Sequence, residues 1–225
     1  MKDLKVIFKP TSKNIKEIEE WGFEKSCLYS SYNNNLLVVA EYSGFTVGYY
    51  CLRKNDKTIE IDVAEIKEDF RGKGLGKMMF DKIEKEFLNS KIFGFKLHCS
   101  PKESQFYWKK LGFEYFPKSK DEDKLRMFKL IKPNVSFSLN EDVNKFIGNY
   151  ILIKDDFKLK YFFKIEFKKD SNELLFPVIF FGNHNWNMIV NINEKEVFNN
   201  RFKDFNRKQE IYDCIFINEI PIKYL

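Results

Sequence analysis

The chain is poor in the residues that usually announce a metal centre or a disulfide scaffold. Its 225 residues include four cysteines and two histidines. Cys27, Cys51, Cys99 and Cys214 are widely separated, with no Cys-x-x-Cys spacing, and His98 and His184 stand alone. This excludes a small stapled fold and the common zinc spacings, so the thiols read as reduced core residues and no structural metal is expected. No apolar run reaches the roughly 18 residues that a membrane span needs. Residues 1–8 lack the apolar stretch and cleavage site of an export signal. A cytoplasmic protein with no membrane partner is the expectation.

Charge is abundant and unevenly placed. The chain carries 39 Lys+Arg against 33 Asp+Glu, for a net of +6, and residues 133–225 hold 13 of each sign. The whole excess therefore belongs to residues 1–132. A ligand bearing several phosphate groups fits such a region, while a solvated lysine-rich surface accounts for the lysines elsewhere.

The most informative segment within that region is Arg71-Gly72-Lys73-Gly74-Leu75-Gly76. It links an apolar strand to an amphipathic helix through a loop in which alternate residues lack a side chain. Glycines permit left-handed turns and close backbone approach. The helix that follows offers unpaired N–H groups and the positive end of its dipole. Arg71, Lys73 and Lys77 add charge, and together these form a pyrophosphate cradle. A Walker loop is excluded, because Arg71 stands five residues before Gly76 and Met78 follows Lys77. The dinucleotide fingerprint fails too, since its last glycine would fall on Lys77 or Met79.

Around this loop the sequence predicts a mixed α/β order. Residues 4–9 form a strand, and residues 12–21 a helix capped by Ser12 with Ile15 and Ile18 inward. Residues 29–35 form a polar loop. Strands over 36–42, 45–53 and 58–66 make an antiparallel meander. Leu75, Met79, Ile83 and Phe87 recur every four residues and predict a helix over 75–89. A strand over 93–99 precedes a helix that starts at Ser100-Pro101 and ends at Gly112. Strands over 113–117 and 125–131 close the region, separated by a charged loop over 118–124.

Arg-x-x-Gly-x-Gly after a strand resembles the cofactor loop of the GNAT superfamily of acetyl-CoA-dependent N-acetyltransferases. The segment Ser104-Gln105-Phe106-Tyr107-Trp108-Lys109-Lys110-Leu111-Gly112-Phe113 is similar to that family's aromatic helix ending in Leu-Gly-Phe. The resemblance extends over residues 1–132 and implies a GNAT-like mixed, mostly antiparallel sheet flanked by helices. It implies an acyltransferase that moves an acetyl group from acetyl-CoA directly to a primary amine, on a small molecule or a protein, in a ternary complex. Arg71, Gly72, Lys73, Gly74, Leu75, Gly76 and Lys77 would hold the pyrophosphate. The backbone of Ile66, Lys67 and Glu68 would contact pantetheine, with the Ile66 N–H polarising the thioester carbonyl.

Two points of chemistry are less regular. An amine with a lysine-like pKa near 10.4 is neutral in only about one molecule in a thousand at pH 7, so a base is needed. On the strand over 58–66, Ile59, Ile61 and Val63 are expected on one face, leaving Glu60 and Asp62 on the other as provisional bases. The alternative is a solvated face paired with Lys or Arg. In the family the leaving thiolate commonly takes its proton from a Tyr four residues before the Gly of Leu-Gly-Phe, and here that position is Trp108. An indole cannot serve. Tyr107 lies one position earlier, and a shift of one residue turns a helical side chain by about 100°. Trp108 is therefore expected to face the cofactor and Tyr107 to face elsewhere. His98 is a distant candidate, and the family's usual Asn is replaced by Pro101. Trp21, Glu24, Tyr29 and Tyr32 fall in the segment that usually walls the acceptor site.

Lys132-Pro133-Asn134 marks the expected boundary of a second domain, residues 133–225. Phe157, Leu159, Tyr161, Phe163, Ile165 and Phe167 alternate, as do Trp186, Met188, Val190 and Ile192, which is the pattern of half-buried strands. Pro177 suggests an edge or bulged strand over 174–181, and residues 140–147 a short helix capped by Gly148. A small mostly-β (α+β) domain is expected. Its apolar face must form a core of its own, or pack on the first domain or on a second subunit as a homodimer. Two other readings stay open: an acyl-CoA-binding module without turnover, raised by Trp108, and an acetyltransferase acting on aminoacyl-tRNA, raised by the basic first domain. The neutral second domain and the lack of an RNA-binding motif argue against nucleic acid.

Overall fold

Leu37, Val38, Val39 and Ala40 are each no more than 2% exposed, so the strand they form must be covered on both faces. A computed structural model of the chain describes residues 3–22, 25–55, 57–115, 125–132, 134–138, 147–205 and 214–225. They fall into two compact units, Met1–Lys132 and Pro133–Leu225. The first unit is built on seven strands: β1 (Leu4–Ile7), β2 (Leu37–Tyr42), β3 (Phe45–Asn55), β4 (Thr58–Ile66), β5 (Gly94–Cys99), β6 (Glu114–Tyr115) and β7 (Leu125–Leu130). They lie in the order β1-β2-β3-β4-β5-β7-β6, and among the described residues β4 with β5 is the one parallel pair. This is the mixed, mostly antiparallel sheet expected.

Helices cover both faces. On one side α1 (Ser12–Glu19) and α2 (Lys25–Asn33) bring Ile15, Ile18 and Leu28 against Leu37, Val39, Tyr49 and Cys51. On the other, α3 (Leu75–Leu88) and α4 (Gln105–Lys110) bring Leu75, Met79, Phe80, Ile83 and Trp108 against Tyr50, Leu52, Ile59, Ile61 and Phe95. Several boundaries differ from the sequence reading. The α1 cap is Thr11, not Ser12, in a capping box with Asn14. Helix α2 occupies most of the expected loop over 29–35. Its inward face is only Leu28 and Ser31, and the Ser31 hydroxyl donates to Leu52 O at 3.0 Å. That contact with β3 supplies what the polar sequence does not advertise. Helix α4 is shorter than expected, because Lys102–Ser104 forms a 3-10 turn. It ends as anticipated at Gly112, φ +85°, with Gly112 N–H on Lys109 O and Phe113 N–H on Trp108 O. The charged loop over 118–124 lies outside the described residues.

Strand β4 departs most usefully. Cys51 pairs Val63 but Leu52 pairs Ile61, so Asp62 is an extra residue, a β-bulge. Ile59 and Ile61 pack on the α3 side, Val63 turns to the α1 side, and Ala64 and Ile66 return to the α3 side. Val63 thus does not share a face with Ile59 and Ile61.

The second unit is mostly β, as expected. Strands β8 (Phe137–Ser138), β9 (Tyr150–Asp155), β10 (Lys158–Lys164), β12 (Asn187–Ile192) and β13 (Lys195–Arg201) form a sheet ordered β13-β12-β9-β10-β8. Strands β11 (Glu173–Phe181) and β14 (Cys214–Glu219) pair separately. Both sheets and the short α5 (Phe202–Phe205) close on one core, which includes Ile151, Phe163, Val178, Phe180, Met188, Val190, Phe202 and Ile217. The register of β11 shifts between Glu173 and Val178, around Pro177. The long alternation from Phe157 is broken. Phe157 sits in the β9–β10 turn, fully exposed, and a bulge between Leu159 and Tyr161 precedes two adjacent buried rings, Phe162 and Phe163. The helix expected over 140–147 lies, but for its last residue, outside the described residues.

Candidate active site

Strands β4 and β5 run together from Thr58 and Gly94 to Ile61 and Leu97, then part. Strand β5 continues along β7 to Cys99, and β4 continues along β3 to Ile66. Past the Asp62 bulge, the edge of β4 that faced β5 therefore has no strand partner among the described residues, its Ile66 N–H reaching only the adjacent Glu65 Oε1 at 3.3 Å. A cavity of about 460 Å³ lies there. It is walled by Tyr50, Ala64, Glu65, Ile66, the loop from Phe70 to Gly76 (Lys73 excepted), Lys77, Ser104 and Tyr107.

The loop is shaped by its backbone. Gly72 and Gly74 have φ of +72° and +78°, and Gly74 is the N-cap of α3. An L-residue in this region costs about 1–2 kcal/mol. A Cβ at either position would meet nothing within 4 Å, so the glycines serve conformation and leave open space above the loop. The first helical bond runs from Met78 N–H to Gly74 O at 3.0 Å. The N–H groups of Leu75, Gly76 and Lys77 thus have no acceptor within the helix and point with its dipole toward the cavity. Arg71 donates through Nε to Ile66 O at 2.9 Å and through Nη2 to Glu65 Oε1 at 2.6 Å. Lys73 donates to Asp69 O, and Lys77 pairs with Asp81, each at 2.6 Å. Ser104 Oγ is buried on the wall with no oxygen or nitrogen partner, the Cys99 thiol beside it being a weak one. An open, donor-lined glycine loop and an orphaned hydroxyl fit a long ligand that carries a pyrophosphate at one end and amide groups along its length.

At the inner end two phenols meet. Tyr107 Oη lies 2.9 Å from Tyr50 Oη, and Tyr50 Oη donates to Gly76 O at 3.1 Å. A Cβ at Gly76 would stand 2.6 Å from Tyr107 Oη, so the close approach of this tyrosine to α3 requires glycine. Burial lifts the Tyr107 phenol above its ordinary value; the Tyr50 hydrogen bond draws it back, and Asp81 adds to the rise. Burial lifts Tyr50 further still.

This reverses the expected orientation of α4. Trp108 is 6% exposed and does not line the cavity. Its ring packs against Phe80, Phe113 and Tyr50 at centroid distances of 6.3, 5.2 and 6.3 Å. Of two adjacent aromatic residues on a six-residue helix, the larger and more apolar surface takes the core and the hydroxyl faces the cavity.

The expected bases are also displaced. Asp62 accepts from Arg53 Nε at 3.2 Å and Nη2 at 3.0 Å. Glu60 is paired with Arg53 at 3.1 Å and Lys96 at 3.5 Å and accepts from Asn55 at 3.1 Å. Neither lines the cavity, so the ion-paired strand face is what the structure contains. The reason is that Ile59 and Ile61 face α3, the side on which the cavity lies, so alternation turns Glu60 to the opposite face, and Asp62 is the bulge residue itself. Ile66, Arg71, Gly72, Gly74, Leu75, Gly76 and Lys77 come together on the wall; Lys67, Glu68, Lys73 and His98 do not line it. Trp21 packs on Tyr49 at 5.4 Å with Lys67 Nζ 5.2 Å from its ring, Tyr29 donates to Glu19 at 2.7 Å, and Tyr32 lies beside the α1–α2 core. Glu24 is outside the described residues.

The sequence reading passed over Tyr50, Ala64, Glu65 and Ser104. Tyr50 was accessible, since β3 alternates and Tyr50 and Leu52 share the face toward α3. Among the described residues no group of three or more His, Cys, Asp or Glu could hold a metal, and no helix is long and apolar enough to cross a membrane.

Residues 12–132 match the family model described as the acetyltransferase (GNAT) domain. No curated protein matches the chain. Among solved structures it is similar to Ard1 from Thermoplasma volcanium, at 15% identity over 58% of this chain and 99% of that one, with a TM-score of 0.48. The PaiA N-acetyltransferase from Thermoplasma acidophilum, in complex with coenzyme A, is 15% identical over 56% of this chain and 98% of its own, TM-score 0.47. Arabidopsis thaliana Naa50, in complex with the bisubstrate analogue CoA-Ac-MVNAL, gives 15%, 56%, 98% and 0.48.

Proposed function

The chain belongs to the GNAT acetyltransferase family through its first unit, and from that premise we propose that it transfers an acetyl group from acetyl-CoA directly to a primary amine, carried by a small molecule or a protein, in a ternary complex. The observation that carries this reading is the glycine loop, whose unpaired N–H groups and left-handed Gly72 and Gly74 open on the cavity. Acetyl-CoA, when bound, supplies the thioester carbon that the amine attacks. Leu75, Gly76 and Lys77 bind the pyrophosphate through backbone, with Arg71 and Lys77 adding charge. The open edge of β4 at Ala64 to Ile66 would orient the pantetheine arm; the Ile66 N–H, which donates to Glu65 Oε1 at 3.3 Å, would turn to the thioester oxygen, and Ser104 Oγ would be offered to an amide.

Tyr107 is the group we assign to protonate the leaving thiolate. Its phenol is held above its ordinary value by burial, so the acid form persists through neutral pH. Glu65, the acidic residue among those that line the cavity, its carboxylate held by Arg71 at 2.6 Å, is our candidate for the base role expected of Asp62 and Glu60, directly or through water. The Tyr107 hydroxyl on the wall also favours an enzyme over a binding module without turnover.

The test is a thermal melt with acetyl-CoA followed by CoA release with spermidine, a lysine-bearing peptide, a peptide with a free α-amine and a simple alkylamine. At a hundred times Kd the cofactor should add about 2.7 kcal/mol of stability, and at least one amine should release CoA. An unchanged melt would sink the loop assignment. A shift without CoA release from any amine would favour the binding module.

A further inference from the structure

Tyr50 is the largest polar side chain buried at the cavity wall, and transfer chemistry as described above leaves it without a role. It is 1% exposed, in the middle of β3, yet its hydroxyl meets both Tyr107 Oη and Gly76 O. A phenol has one proton to donate. When Tyr50 donates to Gly76 O, Tyr107 must donate to Tyr50, and its proton is then turned away from the cavity. When Tyr50 donates to Tyr107, the Tyr107 proton is free to point inward. Gly76 O does not depend on Tyr50, because a carbonyl in the first turn of α3 has its own helical partner four residues on.

We propose that Tyr50 is a positioning residue that holds the Tyr107 hydroxyl at the start of α3 and gives it a hydrogen bond as Tyr107 surrenders its proton. This deepens the acid role assigned to Tyr107 and rests on it. In the step, the Tyr107 O–H bond breaks and an S–H bond forms on the departing thiolate. The phenolate left on Tyr107 accepts from Tyr50 Oη–H, which swings from Gly76 O, and before the next turnover Tyr107 regains, through water, the proton that the base took from the amine. Tyr50 keeps its own proton throughout. The ring of Trp108 packs edge-on to Tyr107 at 5.0 Å and to Tyr50 at 6.3 Å, so the residue in the family's usual acid position fixes both phenols instead of acting as one.

The order of ionisation suits this division. Burial lifts both phenols, but Tyr107 lifts Tyr50 further while Tyr50 lowers Tyr107, so Tyr107 is the one that gives up a proton. The charged and titratable groups facing the pair are Asp81 and its partner Lys77 on α3, Glu65 with Arg71 across the cavity, and Cys99 at the end of β5. Asp81 opposes ionisation of either phenol, which makes the Tyr50 hydrogen bond the contact that favours the Tyr107 phenolate.

Tyr50→Phe keeps the ring and removes only the hydroxyl. With 3,5-difluorotyrosine at position 107, an acidified phenol whose titration is read by fluorine NMR without any substrate, Tyr50→Phe should move the titration to higher pH. In turnover with acetyl-CoA and whichever amine of the panel releases CoA, Tyr50→Phe should lower kcat by about tenfold, the size of one hydrogen bond to a charged group, with CoA affinity unchanged. The alkaline limb of its pH profile should move upward. Tyr107→Phe should lose 10²- to 10⁴-fold, and the double variant should be no slower than Tyr107→Phe alone. An unshifted or lowered titration, or a double variant slower by the product of the two losses, overturns the pairing while leaving the acyltransferase reading intact. Full turnover in Tyr107→Phe would remove the acid assignment and this inference with it. If no amine of the panel releases CoA, the acyltransferase reading fails and the titration alone decides the pairing.

Discussion

The two units are built from different residues for different ends. Eight of the ten glycines lie in residues 1–132, while the shorter second unit holds 13 of the 25 phenylalanines. In the first unit, the glycine-capped start of α3 leaves the Leu75, Gly76 and Lys77 N–H groups without an acceptor in the helix, and the nearby cations reach outward: the side chains of Arg71 and Lys77 are 59% and 61% exposed. In the second, Phe162, Phe163, Phe180, Phe181, Phe202 and Phe205 are each at most 2% exposed. At about 1.5–3 kcal/mol for each large apolar side chain buried, such rings make a core. A surface shaped to receive a ligand leaves backbone donors open to it, whereas a core is held by the apolar area it buries. Damage to the glycine loop should therefore remove binding and spare the fold.

Gly74→Glu is the sharpest way to probe that difference. A Cβ there would meet nothing within 4 Å, but the carboxylate beyond it would occupy the proposed anion position and add like charge. Acetyl-CoA should no longer raise the melting temperature, while the melt without ligand falls only modestly, by the strain of a non-glycine residue at positive φ, about 1–2 kcal/mol. Normal cofactor binding would show that the loop is not the phosphate site.

Separating the units comes next in size. Residues 1–132 contain both helix-covered cores around the seven-stranded sheet. As an isolated protein they should fold and bind acetyl-CoA within about threefold of the full chain by calorimetry, well under the 1.4 kcal/mol that a tenfold change represents. Turnover with the best amine, or self-association, is where the loss of residues 133–225 should appear. An insoluble fragment, or one that cannot bind the cofactor, would mean that the two units do not stand apart energetically.

The smallest effect is expected at Asp62. Its carboxylate is held by Arg53, and exposed ion pairs contribute about 0–1 kcal/mol. Asp62→Asn should change kcat by less than twofold across the pH profile. A tenfold loss with a vanished acid limb would restore Asp62 as the base.

How much of this could be read from the sequence depended on whether periodicity stayed intact. Helix α3 keeps an unbroken period, and Leu75, Met79 and Ile83 were legible as its buried stripe, though the equally buried Phe80 was not. The glycine loop was legible too, because its function needs backbone and not side chains. The orientation of α4 was not legible. Tyr107 and Trp108 are both aromatic, and which one faces the cavity follows from how a six-residue helix seats its indole among Phe80 and Phe113. Helix α2 was hidden because a polar segment is held by Leu28 and one serine hydroxyl. Phe157 misled because an apolar residue at a turn looks like the start of a strand.

Asp62 has a further consequence. Strand β4 is read by the sheet in two frames, odd-numbered residues facing α3 before it and even-numbered residues after it. Taking that single residue into the ladder, opposite Cys51, would act as a frameshift in three dimensions. The ladder with β3 could close without interruption, yet Ala64 and Ile66 would trade faces with Val63 and Glu65, and the wall of the cavity would turn away from the glycine loop. The protein would keep its fold and lose its parity, and with it the site.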